Sequence, residues 1–284
     1  FEGWQDQALE LEQCFNLLVS AHYQTSTDDI RWILDDPSIT TWLMKQQDQI
    51  ISTAIITAEG ELSTALAQEV AHGTRRPRGH LLPQSLLAHE GHLDAGECRY
   101  WRISRIASQT DYQNLGYASQ LIETISQAGR LAKIDYLCTS FAATHQVLKF
   151  WQKNGFICVR LGTSRDQASG CYSVMMLKPL TAKAQLKTQI YHAHYHSNAQ
   201  LNLAKDYPDI DAELRQSLLL EKSNKDEAVA PMTKAEFETL EQQKDIQDLR
   251  LFALQHRPYD TIRAQLDRRF IALETKLEKH KQEK

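Results

Sequence analysis

The stretch from Ile106 to Ile125 constrains the fold of this chain more than any other. It opens on Ile106-Ala107-Ser108, crosses a polar connection to Gln113-Asn114-Leu115-Gly116-Tyr117-Ala118-Ser119, and continues into Leu121, Ile122 and Ile125 at helical spacing. A strand that turns through glycine into a helix leaves the first backbone N–H groups of that helix without intrahelical partners. Those groups can bind a pyrophosphate. Gly116 permits close approach of a ligand, and Ala118 keeps the surface beside it small.

The rest of the chain supplies a sheet for this helix. Residues 8 to 22 place Leu9, Leu11, Cys14, Phe15, Leu18 and Val19 on one helical face, and a second helix is expected from Thr27 until Pro37 stops it. Thr40–Met44 and Ile50–Thr57 read as a hairpin turning through the polar Lys45–Gln49. Gly73–Pro83 reads as a loop or a short helix entry. Strands follow at Cys98–Ser108, Tyr136–Phe141, Phe156–Leu161 and Cys171–Leu177, with helices at 113–128 and Gln146–Lys153 between them. Alternation at these lengths predicts an α/β fold with a twisted sheet flanked by helices. Beyond Pro179 the pattern is helices and polar connections. The expected division is a domain over 1–180 and a helical tail over 181–284, with Glu221–Pro231 as a link.

Charge is distributed unevenly. Residues 1–72 carry 2 Lys/Arg against 12 Asp/Glu, whereas residues 73–180 carry 13 against 7. A phosphate-bearing ligand is therefore drawn to the middle segment. The 5 cysteines are scattered and never form a C-x-x-C pair, which argues against a disulfide framework and against a zinc knuckle and favours a reducing, cytoplasmic setting. No run approaches the roughly 18 apolar residues of a membrane span, so no membrane association is expected.

The pattern Gln113-x-x-Gly116-x-Ala118 resembles the signature of the Gcn5-related N-acetyltransferase (GNAT) class. Phe150-Trp151-Gln152-Lys153-Asn154-Gly155-Phe156 resembles the second landmark of that class, an aromatic helix end before Gly-Phe. The resemblance narrows to the tRNA(Met) cytidine acetyltransferases through Ser20–Thr25, Leu34–Pro37, Arg75–Leu86, Arg102–Ala107, Ser169–Tyr172 and His256-Arg257-Pro258. It implies a GNAT fold that takes acetyl-CoA and acetylates N4 of the wobble cytidine of elongator tRNA(Met). It also implies a tail over 181–284 that binds tRNA, and a helicase-like module in cis or in trans. ATP binding requires that module, because no G-x-x-x-x-G-K-[ST] loop occurs in this chain.

Carried over by position, the acetyl-CoA contacts implied by the resemblance are Ile106, Ala107 and Ser108, the loop Gln113, Asn114, Leu115, Gly116, Tyr117, Ala118 and Ser119, and Gln146 and Lys153. Ser119 stands where relatives often carry Arg, Gln146 where they carry Glu, and Lys153 where they carry Arg. Replacing an arginine removes a bidentate donor for phosphate, and Lys153 keeps the charge only as a point.

Transfer of an acetyl group needs a polarised thioester carbonyl, an acceptor nitrogen held in line and removal of a proton. The resemblance assigns polarisation to a strand amide within Ile106–Ser108. Many GNAT enzymes protonate the leaving thiolate with a tyrosine at the position of Trp151, and indole cannot do this at neutral pH. No residue is assigned that role. His145 at a helix start reads as a surface residue. His89-Glu90-Gly91-His92 lacks the H-E-x-x-H spacing of a metal site, so no metal is expected. His192, His194 and His196 splay around a helix as solvated side chains. Arg75, Arg76 and Arg78, beside His80, suit contact with an RNA backbone. Arg102 and Arg105 add to that surface, although alternation buries one of them in an ion pair. Trp32, Trp42 and Phe150 read as core. Two other readings stay open: an acetyltransferase of the same fold acting on a protein or small amine, and a non-enzymatic RNA-binding segment.

Overall fold

The computed structural model describes residues 8–21, 31, 33–203, 207 and 209–219. The chain enters through α1 (Ala8–Ala21) and a hairpin of β1 (Ile39–Gln46) and β2 (Gln49–Gly60). Helices α2 (Thr64–Ala71) and α3 (Leu81–Glu90) lead to β3 (Arg99–Ser108), α4 (Tyr117–Leu131), β4 (Tyr136–Ala142) and α5 (His145–Lys153). A second hairpin, β5 (Ile157–Arg165) and β6 (Tyr172–Pro179), is followed by α6 (Ala182–Asn202) and α7 (Ala212–Leu219). The strands form one mixed sheet in the order β1-β2-β3-β4-β6-β5, antiparallel throughout except between β3 and β4.

The first hairpin turns more tightly than its polar sequence predicts. Lys45 pairs with Ile50 and Gln46 with Gln49, so only Gln47 and Asp48 remain in the turn, with Gln47 at φ 54°. Of the second expected helix, Arg31 and residues 33–35 are helical and end before Pro37; Trp32 and Thr27–Ile30 lie outside the described residues. Gly73–Pro83 is a loop only as far as His80. Pro83 sits in the first turn of α3, where an N–H has no intrahelical acceptor and proline is tolerated. Helix α2 had no clear periodic signal. It is started by Ser63, whose hydroxyl accepts from the Leu66 N–H at 3.3 Å.

Alternation along the strands divides the side chains between two layers. On one face, Cys14, Leu17 and Leu18 of α1 pack on Ile55 and Ala107, and Leu82 and Leu86 of α3 pack on Tyr100, Tyr136 and Cys138. On the other, Leu121, Ile122 and Ile125 of α4 and Leu148 and Trp151 of α5 cover Ala54, Ile56, Ile103 and Leu137. Trp42 and Phe150 pack against this second layer partly buried, as expected of core aromatics.

The chain beyond the boundary expected near residue 180 continues to pack on the sheet. Ala184 and Tyr191 of α6 are buried among Val159, Met175 and Leu177, and the Tyr136 hydroxyl donates to the Ala184 carbonyl at 3.1 Å. Leu214 and Leu218 of α7 join the layer under α5. The compact unit containing the sheet extends to Ser223, and a second unit runs from Asn224 to Lys284. The histidines of α6 are also not simply solvated. His192 Nδ1 lies 2.9 Å from the Cys158 carbonyl and His196 Nε2 lies 3.2 Å from the Leu219 carbonyl, while His194 remains exposed and meets His92 at 3.3 Å.

Candidate functional site

The site begins where β3 and β4 part. Their parallel pairing runs from Tyr100↔Tyr136 to Ile103↔Thr139 and stops, although both strands continue. The Thr139 hydroxyl donates to the Ile103 carbonyl at 3.3 Å at this last pair. Against β2, Ile55 pairs with Arg105 and Ile56 with Ile103, so Ser104 is the extra residue of a β-bulge. The Ser104 hydroxyl donates to the Ile55 carbonyl at 3.0 Å. The bulge re-aims the strand where the ladder ends, and the two strands splay.

A cavity of about 780 Å³ occupies the splay, within the range of about 300–1,000 Å³ common for small-molecule sites. Strand β3 supplies Ile103 to Ser108 and β4 supplies Thr139 to Ala142. The loop and first turn of α4 contribute Tyr112, Gln113, Asn114, Gly116, Tyr117, Ala118 and Ser119, and α5 contributes Gln146, Lys149, Phe150 and Lys153. The residues expected to meet a cofactor thus come together on one cavity, except Leu115, which is 65% exposed and does not line it.

Local geometry explains why this loop can receive an anion. Asn114 (φ 60°) and Gly116 (φ 89°) both adopt left-handed backbone, which folds the chain sharply into α4. The Gln113 amide donates to the Ser108 carbonyl at 3.2 Å and holds the loop to the strand end. Gly116 is the N-cap, so no side chain satisfies the first amides of α4, and no acidic residue occupies its first turn. Helix α5 differs, because the Thr144 hydroxyl accepts from the Val147 N–H at 3.3 Å. A side chain added at Gly116 meets nothing within 4 Å, so the space over the loop is open.

The lining is cationic. Arg105, Lys149 and Lys153 line it, and among the described residues no Asp, Glu or His does. Lys149 was not anticipated, although its spacing from Gln146 and Lys153 by three and four residues marks one helix face. Ser104, Thr139, Ser140 and Phe141 were also missed, because a splay and a bulge are properties of strand register. Cys138 carries no nucleophilic role here. Complete burial pushes its thiol well above the ordinary range, with the nearby Glu59 adding to the shift.

Trp151 is buried, stacked on Phe141 at 6.2 Å and edge-on to Phe156 at 4.8 Å, and belongs to the core as much as to the cavity wall. His145 lies outside the lining, with its Nδ1 2.9 Å from the Ser217 hydroxyl. Among the described residues no group of His, Cys, Asp or Glu is arranged to hold a metal, and no helix is long and apolar enough to cross a membrane.

Arg75, Arg76 and Arg78 are exposed on the loop before α3 and do not line the cavity. Arg75 makes a solvent-exposed ion pair with Glu69 at 3.4 Å, a contact of small energy. Their loop is tied down at the opposite end of β3. His80 Nδ1 accepts from the Gly60 N–H at 2.9 Å, and Gly60 pairs with Arg99. Arg102 and Arg105 share a face because the bulge shifts the alternation between them. Arg102 forms an ion pair with Glu59, whose side chain has no exposed surface.

Comparison with known proteins agrees with this geometry. The family model described as GNAT acetyltransferase 2 matches residues 13–130 and 124–181. Relatives named tRNA(Met) cytidine acetyltransferase TmcA match at similar levels. The protein of Nitrosococcus halophilus is 35% identical over 74% of this chain and 28% of its own length. That of Vibrio cholerae is 40% identical over 61% of this chain and 24% of its own. For Photorhabdus asymbiotica the figures are 33%, 90% and 35%. The chain therefore spans about a quarter to a third of the length of these curated relatives.

Proposed function

This chain belongs to the GNAT acetyltransferase 2 family, and from that premise we propose that it binds acetyl-CoA in the β3/β4 splay and acetylates N4 of a cytidine in tRNA. The observation that carries the proposal is the cationic cavity at the splay, with the uncapped N-terminus of α4 on its rim. The loop Gln113–Ser119 and the lysines of α5 hold the phosphates of the cofactor, Lys149 and Lys153 acting as point charges and the α4 amides as directed donors. Ile106, Ala107 and Ser108 line the path of the acyl arm, and Gln146 adds a polar contact. When bound, acetyl-CoA supplies an activated acetyl group. The acceptor amine gives up one proton as its N–C bond forms, and the CoA thiol leaves carrying one.

The absence of any carboxylate in the described lining favours cytidine over an alkyl amine. An alkyl amine arrives as an ammonium ion that must be held and deprotonated, whereas the exocyclic amine of cytosine arrives neutral. A cationic surface repels the first acceptor and attracts a nucleic acid. The relatives' names support the choice of tRNA, with elongator tRNA(Met) as the specific substrate, the tail from residue 181 contributing to tRNA binding, and a helicase-like module working in cis or in trans. The reaction belongs to the cytoplasm, where tRNA and acetyl-CoA meet.

Incubation with acetyl-CoA and elongator tRNA(Met), alone and with the ATP-dependent portion of a full-length relative added in trans, tests the proposal. N4-acetylcytidine detected by mass spectrometry in either reaction supports it. Failure to form it in both, by protein that binds acetyl-CoA, overturns the cytidine assignment.

A further inference from the structure

The cavity lies across the sheet rather than on one side of it. Ile106, Tyr117 and Phe150 reach it from the layer of α4 and α5, whereas Ala21 belongs to α1 in the opposite layer. Two polar residues line it from strand positions that face this second layer. Arg105 pairs with Ile55, whose side chain packs against α1, and Ser140 pairs with Met175, which packs in the cluster beneath α3 and α6. Directly paired residues share a face of a sheet, so both side chains are turned away from the phosphate loop and the lysines. The bulge at Ser104 puts Arg105 there, and Thr139, on the other face, commits its hydroxyl to Ile103.

If the cofactor is held from the α4 and α5 side, the acceptor approaches from the other. Building on the cytidine reading above, we infer that Arg105 and Ser140 form the subsite that reads the base edge of the acceptor cytosine. Beside its N4 amine, cytosine presents two acceptors in a row, N3 and O2. A guanidinium is a planar fork of donors with no acceptor, and it matches that pair in a bidentate contact. Uracil offers an N3–H donor at the same place, so the fork meets a donor and one hydrogen bond is lost against a desolvated group. The Ser140 hydroxyl accepts one N4–H, which leaves the nitrogen itself turned toward the splay. Arg105 has more donors than this contact uses, so its other contacts can persist. The role differs from that of Arg75, Arg76 and Arg78, whose exposed charges suit the RNA backbone and cannot distinguish bases.

The test is equilibrium binding of the 284-residue chain to two anticodon stem-loop RNAs that differ only in cytidine or uridine at the acceptor position, at one fixed salt concentration. Wild type is expected to prefer cytidine by about tenfold, the discrimination of one good bidentate contact. Arg105→Lys keeps the charge and loses the fork, so affinity for the uridine RNA holds within about twofold while the preference collapses. Ser140→Ala reduces the preference by about threefold. Both variants are expected to bind acetyl-CoA within about twofold of wild type by calorimetry, since neither residue faces the phosphate loop. Retained preference in Arg105→Lys, or parallel loss of acetyl-CoA binding, overturns the assignment. Wild type that forms N4-acetylcytidine but shows no preference overturns this inference alone; absence of both product and preference removes the cytidine reading with it.

Discussion

Arg102 and Glu59 form an ion pair inside the protein: the arginine Nε donates to a carboxylate that has no exposed surface, and the other oxygen of that carboxylate accepts the Leu82 N–H at 3.0 Å. One buried charge thus joins β2, the strand of the cavity and the start of α3. Removing one partner leaves the other charge uncompensated, and Glu59→Ala is expected to cost about 3–5 kcal/mol of stability. The double variant Glu59→Leu with Arg102→Met recovers part of that loss, because no lone charge remains. Urea unfolding of the single and double variants measures both, and equal destabilisation in the two would show that the charge is not what matters.

Gly116 separates backbone geometry from packing. A Cβ there meets no neighbour, so Gly116→Ala costs only the left-handed conformation at φ 89°, about 1–2 kcal/mol. The added methyl stands over the open loop, and acetyl-CoA affinity is expected to fall by about tenfold or more while the fold persists. Gly60 provides the contrast, since its Cβ would lie 1.9 Å from the Cys98 carbonyl oxygen. Gly60→Ala is expected to lower the melting temperature sharply. Calorimetry on the first variant and thermal unfolding of both distinguish a binding glycine from a structural one.

The lysines of α5 supply charge without a fork. Lys153→Ala and Lys149→Ala are each expected to weaken acetyl-CoA binding by about three- to tenfold, with the loss shrinking as salt is raised. Lys153→Arg restores a bidentate donor and is expected to bind at least as tightly as wild type. Titration calorimetry at low and high ionic strength provides the measurement, and a salt-independent loss would indicate a packing effect instead.

Local patterns made part of this molecule legible before any coordinates. Leu121, Ile122 and Ile125 after Gly116 announce the strand, turn and helix of the cavity, and their burial follows from helical spacing alone. The positions of Ser104 and Ser140 were not legible. A bulge depends on which β2 residue pairs with Ile103, and a splay depends on where β3 stops pairing with β4, so neither leaves a mark in either strand's own sequence. The same holds for α6, whose weak polar periodicity reads as a separate tail. Ala184 and Tyr191 are buried only because β5 and β6 present a complementary surface to them. Pro83 was legible in part, since the reading of Gly73–Pro83 as a loop or a short helix entry admits the first turn of a helix, where proline is tolerated.

His92 and Glu90 predict pH dependences of opposite sign within one cluster. His92 Nε2 lies 3.3 Å from His194 Nδ1, and its ring lies 4.3 Å from that of Tyr191. Burial holds its imidazole below the ordinary 6.5, the charge of His194 lowers it further, and Asp94 opposes both. With the folded value depressed, the unfolded chain binds the proton more readily. The contribution of His92 is therefore present above about 6.5 and lost as pH falls through the folded value. Glu90 is raised above 4.5 by burial, against the pull of Arg160 at 3.1 Å and of His194. Its contribution is present at low pH and lost as pH rises through its folded value. His92→Gln, which keeps a polar atom near the Nε2 position, is expected to flatten the loss of stability between pH 7.5 and pH 5.5, a window of about one unit on each side of 6.5. Glu90→Gln removes a contribution of the opposite sign and is expected to steepen the loss of stability as pH falls from the raised folded value toward about 4.5. Urea midpoints from pH 7.5 down to about 4.5 for wild type and both variants provide the measurement, and slopes that shift in the same direction would exclude this assignment.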